Sequence, residues 1–266
     1  MTFKFRLGRR SPLFTPKMMR ASLHVNAVLA SFGPPPPASQ DFWPKVKAAG
    51  GFRMYLNDTL GDCTAADSCN SMIWRSTAAG TPIVPTDADA LAEYEATGGY
   101  RPTDPKNPQT NASDQGAMEG DVCDYLVKTG LCGHKAEATA PIVAGAMDSG
   151  ALDRLRWAII IFGCVRGGFN LPNSAQDQFA AGLPFSVSGD LTIEGGHDFP
   201  LVSYDPQYFY GATWAGRPAI EPNWLTRFME EAHGEAWPLF VRPSGLTPTG
   251  FHEATLIRDL QAMAVG

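Results

Sequence analysis

The 266-residue sequence predicts an α+β protein in which a helical lobe comes first and an antiparallel β-lobe follows. Apolar residues recur at helical spacing from Thr64 to Thr77 and from Met118 to Lys128. Later, Trp157 to Val165 and Phe199 to Tyr204 are rich in β-branched and aromatic residues, which favours strands. With 44% hydrophobic residues, the chain can bury a full core in one two-lobed domain or in two small ones.

We assign the helical lobe to residues 41–150. Residues that are typical of helix starts and helix ends mark its predicted helices. No Pro or Gly interrupts the first of them, from Thr64 to Thr77. The run from Thr86 to Asp89 is typical of a capping box and predicts a helix through Ala96, which Gly98 and Gly99 end. Gly130 closes the helix that begins at Met118 in the same way.

The β-lobe is assigned to residues 151–245, and a tail to residues 246–266. Its strands are predicted from β-branched and aromatic content, with turn residues between them. The elements expected here are a short helix at 151–156, strands at 157–165, 199–204 and 208–213, a helix at 222–232, a last strand at 236–241 and a tail helix at 255–263.

Residues 1–40 form an arm of different character. Six Lys and Arg side chains lie within its first 20 residues, whereas the whole chain has a net charge of -6. Pro34 to Pro37 predict a stiff spacer. The arm either packs back on the domain or docks on an acidic partner. We favour docking, with an arm that extends from the body and is mobile until assembly; its apolar anchors would be Phe3, Phe5, Leu7, Leu13 and Phe14.

Cys63 is the leading candidate for a reactive side chain. It follows the run from Asn57 to Asp62 and stands where this loop becomes a helix. Free backbone N–H groups and the positive end of the helix dipole favour a thiolate there, so we expect a pKa below the ~8.5 of a free cysteine. The alternative is a small buried cysteine that only packs, since free Cys is among the most buried residue types.

A downstream histidine strengthens the reactive interpretation. His197 follows two glycines and opens a predicted strand, while Asn57 lies six residues before Cys63. The helix that ends in Tyr125 and, five residues on, Gly130 completes a pattern that resembles the papain-like cysteine peptidases. The resemblance covers roughly residues 57–241. It implies a papain-like two-lobed fold, with Cys63 on the helical lobe facing His197 on the β-lobe, and it implies no cofactor.

The resemblance also implies a role for each matched residue. Cys63 would be the nucleophile and His197 the base that takes its proton. The Asn57 amide and the backbone N–H of Cys63 would hold the oxyanion. The family's Asn that orients the imidazole belongs to an Asn-Ser-Trp run that here reads Ala212-Thr213-Trp214, so Thr213 would take over the orienting bond and Trp214 would shield the pair from water. The residues expected to contact substrate are Gly61, Asp62, Gly196 and Trp214.

The sequence departs from the family pattern at two positions. Ala212-Thr213 replaces the usual Asn-Ser, so that Thr213 offers the imidazole one hydrogen bond. Asn57 replaces the usual Gln and is one methylene shorter. Because losing one oxyanion donor costs ~10²–10³ in kcat in a serine protease, both an active enzyme and an inactive scaffold fit the sequence.

A closer resemblance is to papain-like proteins encoded by phages and prophages. It rests on the run from Leu56 to Ala66, the segment from Ser174 to Gln178, and Thr213-Trp214. It implies other phage structural subunits as partners of residues 1–40. It also implies a location in the cytoplasm of a bacterial host or in the virion.

Composition excludes several classes of protein. A pI near 5.3 argues against a nucleic-acid binder. No apolar run is long enough to span a membrane, and no secretory signal is predicted. The five cysteines are an odd number, so a complete disulfide framework is impossible. Cys123, Cys132 and His134 lack a fourth ligand at zinc-finger spacing, and no metal site is predicted.

Two functions remain open at this point. The first is a cysteine hydrolase that cleaves peptide or isopeptide bonds, for example in phage head maturation or cell-wall entry. The second is a papain-like scaffold without useful turnover that serves as a structural or docking component of a phage head or tail. Cys63, His197 and Asn57 favour the first, whereas the basic arm and the missing Asn favour the second.

Overall fold

The computed structural model describes residues 4–30, 35–252 and 258. In this part of the chain five helices come first, and strands and helices are interspersed after them. In chain order they are α1 (Pro16–Ala30), α2 (Trp43–Ala48), α3 (Cys63–Ala79), α4 (Asp87–Gly98), α5 (Glu119–Lys128), β1 (Ala138–Ala144), α6 (Ala151–Phe162), β2 (Val165–Pro172), α7 (Asn173–Ala180), β3 (Ile193–Tyr204), β4 (Phe209–Gly211), β5 (Ala219–Ile220), α8 (Pro222–Phe228) and β6 (Met229–Ala236), followed by a 3-10 turn at Pro238–Phe240.

The helical lobe is built around α3. Every residue of this helix from Cys63 to Ala78 is buried, because α2, α4 and α5 cover it on one side and β3 on the other. The Trp74 indole donates a hydrogen bond of 2.8 Å to the carbonyl of Gly163 and so ties the helix to the second lobe. Gly80 ends the helix in the left-handed region, with φ of 102°. The helix is therefore held rigidly from its first residue.

The β-lobe is a six-stranded sheet with the order β1-β6-β2-β3-β4-β5. Each neighbouring pair is antiparallel, as the sequence predicts. Phe169 on β2 stacks on Phe199 on β3, with ring centroids 4.2 Å apart, and Trp224 of α8 packs beside them. The chain thus has the predicted α+β architecture, with the helical lobe and the sheet meeting at α3 and β3.

The run from Trp157 to Val165 is not a strand, contrary to the prediction. Its residues up to Phe162 continue α6, and β2 begins at Val165. Leu155, Ala158 and Ile159 are fully buried in the main core, so burial on several sides outweighs the preference of β-branched residues for strands. Gly163, with φ of 83°, turns the chain from α6 into the sheet.

The end of the second lobe also differs from the prediction. The helix predicted to reach Ala232 ends at Phe228, and the last strand is Met229–Ala236 instead of 236–241. Glu231, His233 and Glu235 alternate along this strand and are buried, which its polar sequence does not suggest. In addition, β1 (Ala138–Ala144) belongs to the sheet, so the β-lobe begins before the predicted boundary at residue 151.

The arm lies against the body of the protein, which corrects the predicted projection. It is non-helical as far as Thr15, and α1 then packs along β1. Val25 and Leu29 are 4% and 3% exposed and belong to the main core, because α1 covers apolar side chains of the sheet and of α6. The arm therefore completes the domain's own core.

Two further predictions concern the chain ends and the membrane. The predicted tail helix at 255–263 lies outside the described residues, apart from residue 258. None of the helices in residues 4–30 and 35–252 has the length and apolar character needed to cross a membrane.

Candidate active site

Cys63 is the first residue of α3 and is 1% exposed. At this position its own backbone N–H has no acceptor within the helix. Asp198, the residue after His197 on β3, is close enough for its charge to act on the thiol. Gly8 lies against Gly61, two residues before Cys63. The thiol therefore lies at the junction of the two lobes, beside the strand that carries the histidine.

His197 is held by the loop that follows β4. Its Nε2 lies 2.8 Å from the Thr213 hydroxyl, and its ring stacks on Trp214 with centroids 4.7 Å apart. Trp214 and Ala215 both have positive φ, of 49° and 60°, an unfavourable conformation for residues with a Cβ. A bridge between Thr213 and Gly216 closes this turn. The buried Nδ1 has no hydrogen-bond partner, which leaves it available as a proton acceptor.

The pKa values of both groups are shifted toward the neutral forms. Burial raises the pKa of the Cys63 thiol, and the nearby Asp198 carboxylate adds to the effect. Burial also lowers the pKa of His197 to about 3, with a smaller contribution from the charge of Arg9. The predicted low thiol pKa is therefore wrong for this state of the molecule. Removing the thiol from water raises its pKa by more than the helix dipole lowers it.

Residues 4–10, which we call the cleft segment, cover the pair. The backbone N–H of Arg9 donates to the carbonyl of Gly196 at 3.0 Å on the β-lobe. On the helical lobe, the N–H of Ala117 donates to the carbonyl of Gly8 at 2.9 Å, and the N–H of Arg10 donates to the carbonyl of Ala117 at 2.8 Å. The segment thus pairs with both walls of the groove in which Cys63 lies.

Two side-chain features fix the position of the cleft segment. The Phe5 ring stacks on Trp214, with centroids 4.7 Å apart, and its backbone N–H donates to Gln176 Oε1 at 2.6 Å. Gly8 passes so close to Gly61 that a Cβ at residue 8 would overlap the carbonyl oxygen of Gly61. Only glycine fits at this point of the segment.

The predicted substrate-contacting residues separate into two groups. Gly61, Gly196 and Trp214 all touch the cleft segment. Asp62 does not face the groove, because its carboxylate accepts a hydrogen bond of 3.3 Å from the Asn57 amide. Burial raises the pKa of this carboxyl group well above its ordinary value. Asp62 therefore supports the loop before Cys63.

Asn57 does not supply an oxyanion donor, which corrects that prediction. Its Nδ2 donates to the carbonyl of Leu60 at 3.2 Å and to Asp62 Oδ1 at 3.3 Å, so both of its hydrogens are engaged within the loop. The shorter Asn side chain folds back on its own turn instead of reaching toward the thiol. Of the two predicted oxyanion donors, only the backbone N–H of Cys63 remains.

Arg166 is a positioning residue that the sequence did not indicate. It is buried on β2, and its guanidinium donates to the Thr64 carbonyl and the Ser68 hydroxyl of α3 at 3.0 and 2.6 Å. The same group bonds to Asp198 at 2.8 Å and Glu235 at 3.0 Å. Arg166 thus joins α3 to β3, the strand that carries His197. In the sequence, a single Arg in an apolar run is the only feature that could have indicated this role.

No protein-family model matches this chain, and no curated protein sequence does either. Solved structures do match it. Xylellain, a cysteine protease from Xylella fastidiosa, has 15% identity and a TM-score of 0.59, over 88% of this chain and 97% of that one. ProCathepsin B S9 from Trypanosoma congolense has 14% identity and a TM-score of 0.55, over 87% and 86%.

Digestive procathepsin L 3 of Tenebrio molitor larval midgut is also similar, with 13% identity, a TM-score of 0.53 and coverage of 86% of this chain and 83% of that one. These alignments span nearly the full length of each partner. At such low identity they establish shared architecture and do not transfer activity. The chain has the two-lobed fold of the papain-like cysteine proteases.

Proposed function

We propose that the protein is a cysteine peptidase that the cleft segment keeps latent. The observation that carries this proposal is that the cleft segment contacts both Gly61, two residues before Cys63, and Gly196, the residue before the Thr213-bound His197. A peptide strand already lies in the groove, paired with Gly196 and Ala117. Such a groove accepts an extended peptide substrate by the same backbone pairing.

The reaction begins once the cleft segment leaves. Water and substrate then reach the pair, the burial that suppresses charge is relieved, and the thiol proton moves from Sγ to Nδ1 of His197. The thiolate attacks the scissile carbonyl, and the backbone N–H of Cys63 stabilises the oxyanion. The imidazolium returns its proton to the leaving amine as the C–N bond breaks. Water, deprotonated by His197, then attacks the thioester, and the acid product and free thiol are released.

The test is peptide hydrolysis by the full-length chain with and without the substitution Gly8→Ala. The added methyl group overlaps backbone atoms of Gly61 and should expel the cleft segment. We expect hydrolysis of an unfolded protein such as casein to rise in Gly8→Ala and to vanish in the double variant with Cys63→Ala. Gly120→Ala is the matched control, because a Cβ at that glycine meets no atom within 4 Å.

Two results would overturn the proposal. One is a folded Gly8→Ala protein in which Cys63 becomes accessible and no peptide is cleaved. The other is hydrolysis that survives Cys63→Ala. Circular dichroism and thermal unfolding of each variant establish that the compared proteins are folded.

A second candidate function is a docking component of a phage particle. Its support is a group of exposed apolar side chains on the arm and α1: Leu13, Met19 and Leu23 are 68%, 51% and 71% exposed. Exposed apolar groups of this kind favour a protein interface. The likeness of the run from Leu56 to Ala66 to phage-encoded proteins supports such an origin. Leu13→Ser with Leu23→Ser should then prevent copurification with particles and leave Cys63 chemistry unchanged.

A further inference from the structure

Three titratable side chains meet beneath the arm, apart from Cys63. Glu119 is the first residue of α5, and Glu231 and His233 lie on β6. Their ligand atoms all lie within 4.8 Å of one another, and all three residues are buried. This group, which we call the Glu-Glu-His cluster, spans the two lobes because α5 belongs to one and β6 to the other.

Glu119 is unusual within the cluster. It is fully buried, and neither of its carboxylate oxygens has a hydrogen-bond partner in the described part of the chain. Its Oε2 lies 3.8 Å from Nε2 of His233. A buried carboxylate without hydrogen bonds is costly, so buried polar groups of this kind call for an explanation such as a bound ion.

Gly168 leaves room for the side chains of the Glu-Glu-His cluster. A Cβ at Gly168 on β2 would overlap Glu119 Oε1 and would lie 2.8 Å from Glu231 Cγ. Any residue other than glycine would therefore displace the cluster. A pocket of about 490 Å³, lined by Glu119, Glu231 and His233 together with Leu13 and Met18, adjoins the group and gives an ion a route to it.

Charge in the cluster is unbalanced. Arg9 donates to Glu231 Oε1 at 2.8 Å and to Glu230 Oε2 at 2.6 Å, so one cation faces three carboxylates, those of Glu119, Glu230 and Glu231. When the carboxylates are ionised and His233 is neutral, as metal ligands must be, Glu119, Glu230 and Glu231 carry three negative charges against the one positive charge of the Arg9 bonded to two of them. A divalent cation would balance it. Arg9 holds Oε1 of Glu231, and Oε2 lies 3.3 Å from Nε2 of His233.

We propose that Glu119 Oε2, Glu231 Oε2 and His233 Nε2 form a site for a divalent transition-metal ion, with Zn²⁺ the ion that the donors suit best. Nε2 of His233 lies 3.3 Å from Glu231 Oε2 and 3.8 Å from Glu119 Oε2. Ligands about 2.0–2.1 Å from a tetrahedral zinc ion are roughly 3.4 Å apart, so the donors need to move only slightly. The fourth position faces the pocket. Arg9 acts as the outer partner that orients Glu231.

The ion would fasten α5 to β6 and thereby the two lobes to each other. This role is independent of peptide hydrolysis. It can therefore be tested in the Cys63→Ala chain, where zinc cannot bind to a Cys63–His197 pair.

The experiment is a Zn²⁺ titration of metal-free, full-length Cys63→Ala protein against a chromogenic chelator. We expect one ion per chain, an affinity at least about 10-fold weaker in Glu119→Gln and in His233→Gln, and a thermal midpoint that zinc raises only when the cluster is intact. The controls Glu137→Gln and His134→Gln change matching side chains at exposed positions and should bind like the parent.

Absence of stoichiometric binding, or binding that both cluster variants retain, would overturn the proposal. Should either variant fail to fold, the absorption spectrum of the Co²⁺-loaded parent decides. Tetrahedral d–d bands without a thiolate charge-transfer band support the Glu-Glu-His cluster. A strong thiolate band places the ion on a cysteine and contradicts it.

Discussion

Thr213 shows how one hydroxyl can do the work of an amide. Its Oγ1 lies 2.8 Å from Nε2 of His197. If Nε2–H donates to it, the tautomer leaves Nδ1 unprotonated and able to accept the proton of Cys63. In the proposed peptidase, the hydroxyl thus orients the ring and selects Nδ1 as the base.

The first prediction concerns this contact. In the Gly8→Ala background, Thr213→Val should lower kcat/KM by about 10- to 100-fold, because a hydrogen bond to a charged imidazolium contributes roughly 1.5–3 kcal/mol. Thr213→Asn should restore most of the loss and Thr213→Ser should be nearly neutral. Equal rates for Thr213→Val and the parent would exclude an orienting role.

The second prediction concerns pH and His197. Its folded-state pKa of about 3 lies below the ordinary 6.5, so between these values the unfolded chain binds a proton that the folded chain does not. The contribution to stability is therefore complete above pH 6.5 and is lost as pH falls toward 3, by up to about 1.4 kcal/mol per pH unit.

Urea unfolding at several pH values checks this sign. The free energy of unfolding should fall more steeply with acid in the parent than in His197→Gln. Parallel curves for the two proteins would mean that His197 titrates normally in the folded state.

At the scale of elements, α3 and β3 are joined through one buried cation. Arg166 contacts α3 at Thr64 and Ser68, and it neutralises Asp198 on β3 and Glu235 on β6. Burial raises the pKa of Glu235, but the charges of Arg166 and Arg75 and the hydrogen bond from Trp237 outweigh burial and lower this pKa to about 2. The position of α3 against β3 thus depends on the Arg166 guanidinium.

The third prediction follows from this arrangement. Arg166→Met should destabilise the fold by about 3–5 kcal/mol, because it leaves the buried Asp198 without its cation, whereas Glu235 keeps Arg75. Arg227→Met, on the exposed side of α8, is the matched control and should change stability by less than about 0.5 kcal/mol. Thermal and urea unfolding compare the two. A small effect of Arg166→Met would show that the carboxylates are neutral or solvated.

The elements also show what local sequence can and cannot predict. The helix at Cys63 and the capping box at Thr86 follow from short-range signals and are present as predicted. The strand Met229–Ala236 was missed because its alternating Glu and His side chains are buried only where cations from distant residues meet them. Arg9, for example, is 222 positions from Glu231. Pairing over such distances leaves no periodic pattern in the sequence.

At the scale of the whole molecule, the arm closes the groove between the lobes. The sequence predicts a site at Cys63, His197 and Thr213, and it assigns the arm's basic residues to an external partner. The structure pairs three of them with the molecule itself: Lys4 lies 2.9 Å from Glu194, Arg6 lies 3.5 Å from Asp114, and Arg9 contacts Glu230 and Glu231 on β6. A basic segment can pair with acidic side chains of its own chain as well as with those of a partner.

This arrangement makes the reactivity of Cys63 depend on the arm. With the cleft segment in place, Cys63 is 1% exposed and neutral. Cys132 provides an internal reference, since it is more exposed than Cys63 and burial raises its pKa to about 11. At acidic pH neither thiol should then react quickly in the parent protein.

The most direct test is therefore alkylation of individual thiols by iodoacetamide at pH 6, followed by mass spectrometry, in the parent and in Gly8→Ala. We expect Cys63 to be protected in the parent and to become the fastest-reacting cysteine in Gly8→Ala, well ahead of Cys132, because the freed thiolate pairs with His197. Rapid alkylation of Cys63 in the parent, or no gain at Cys63 in a folded Gly8→Ala protein, would contradict a latent thiol covered by residues 4–10.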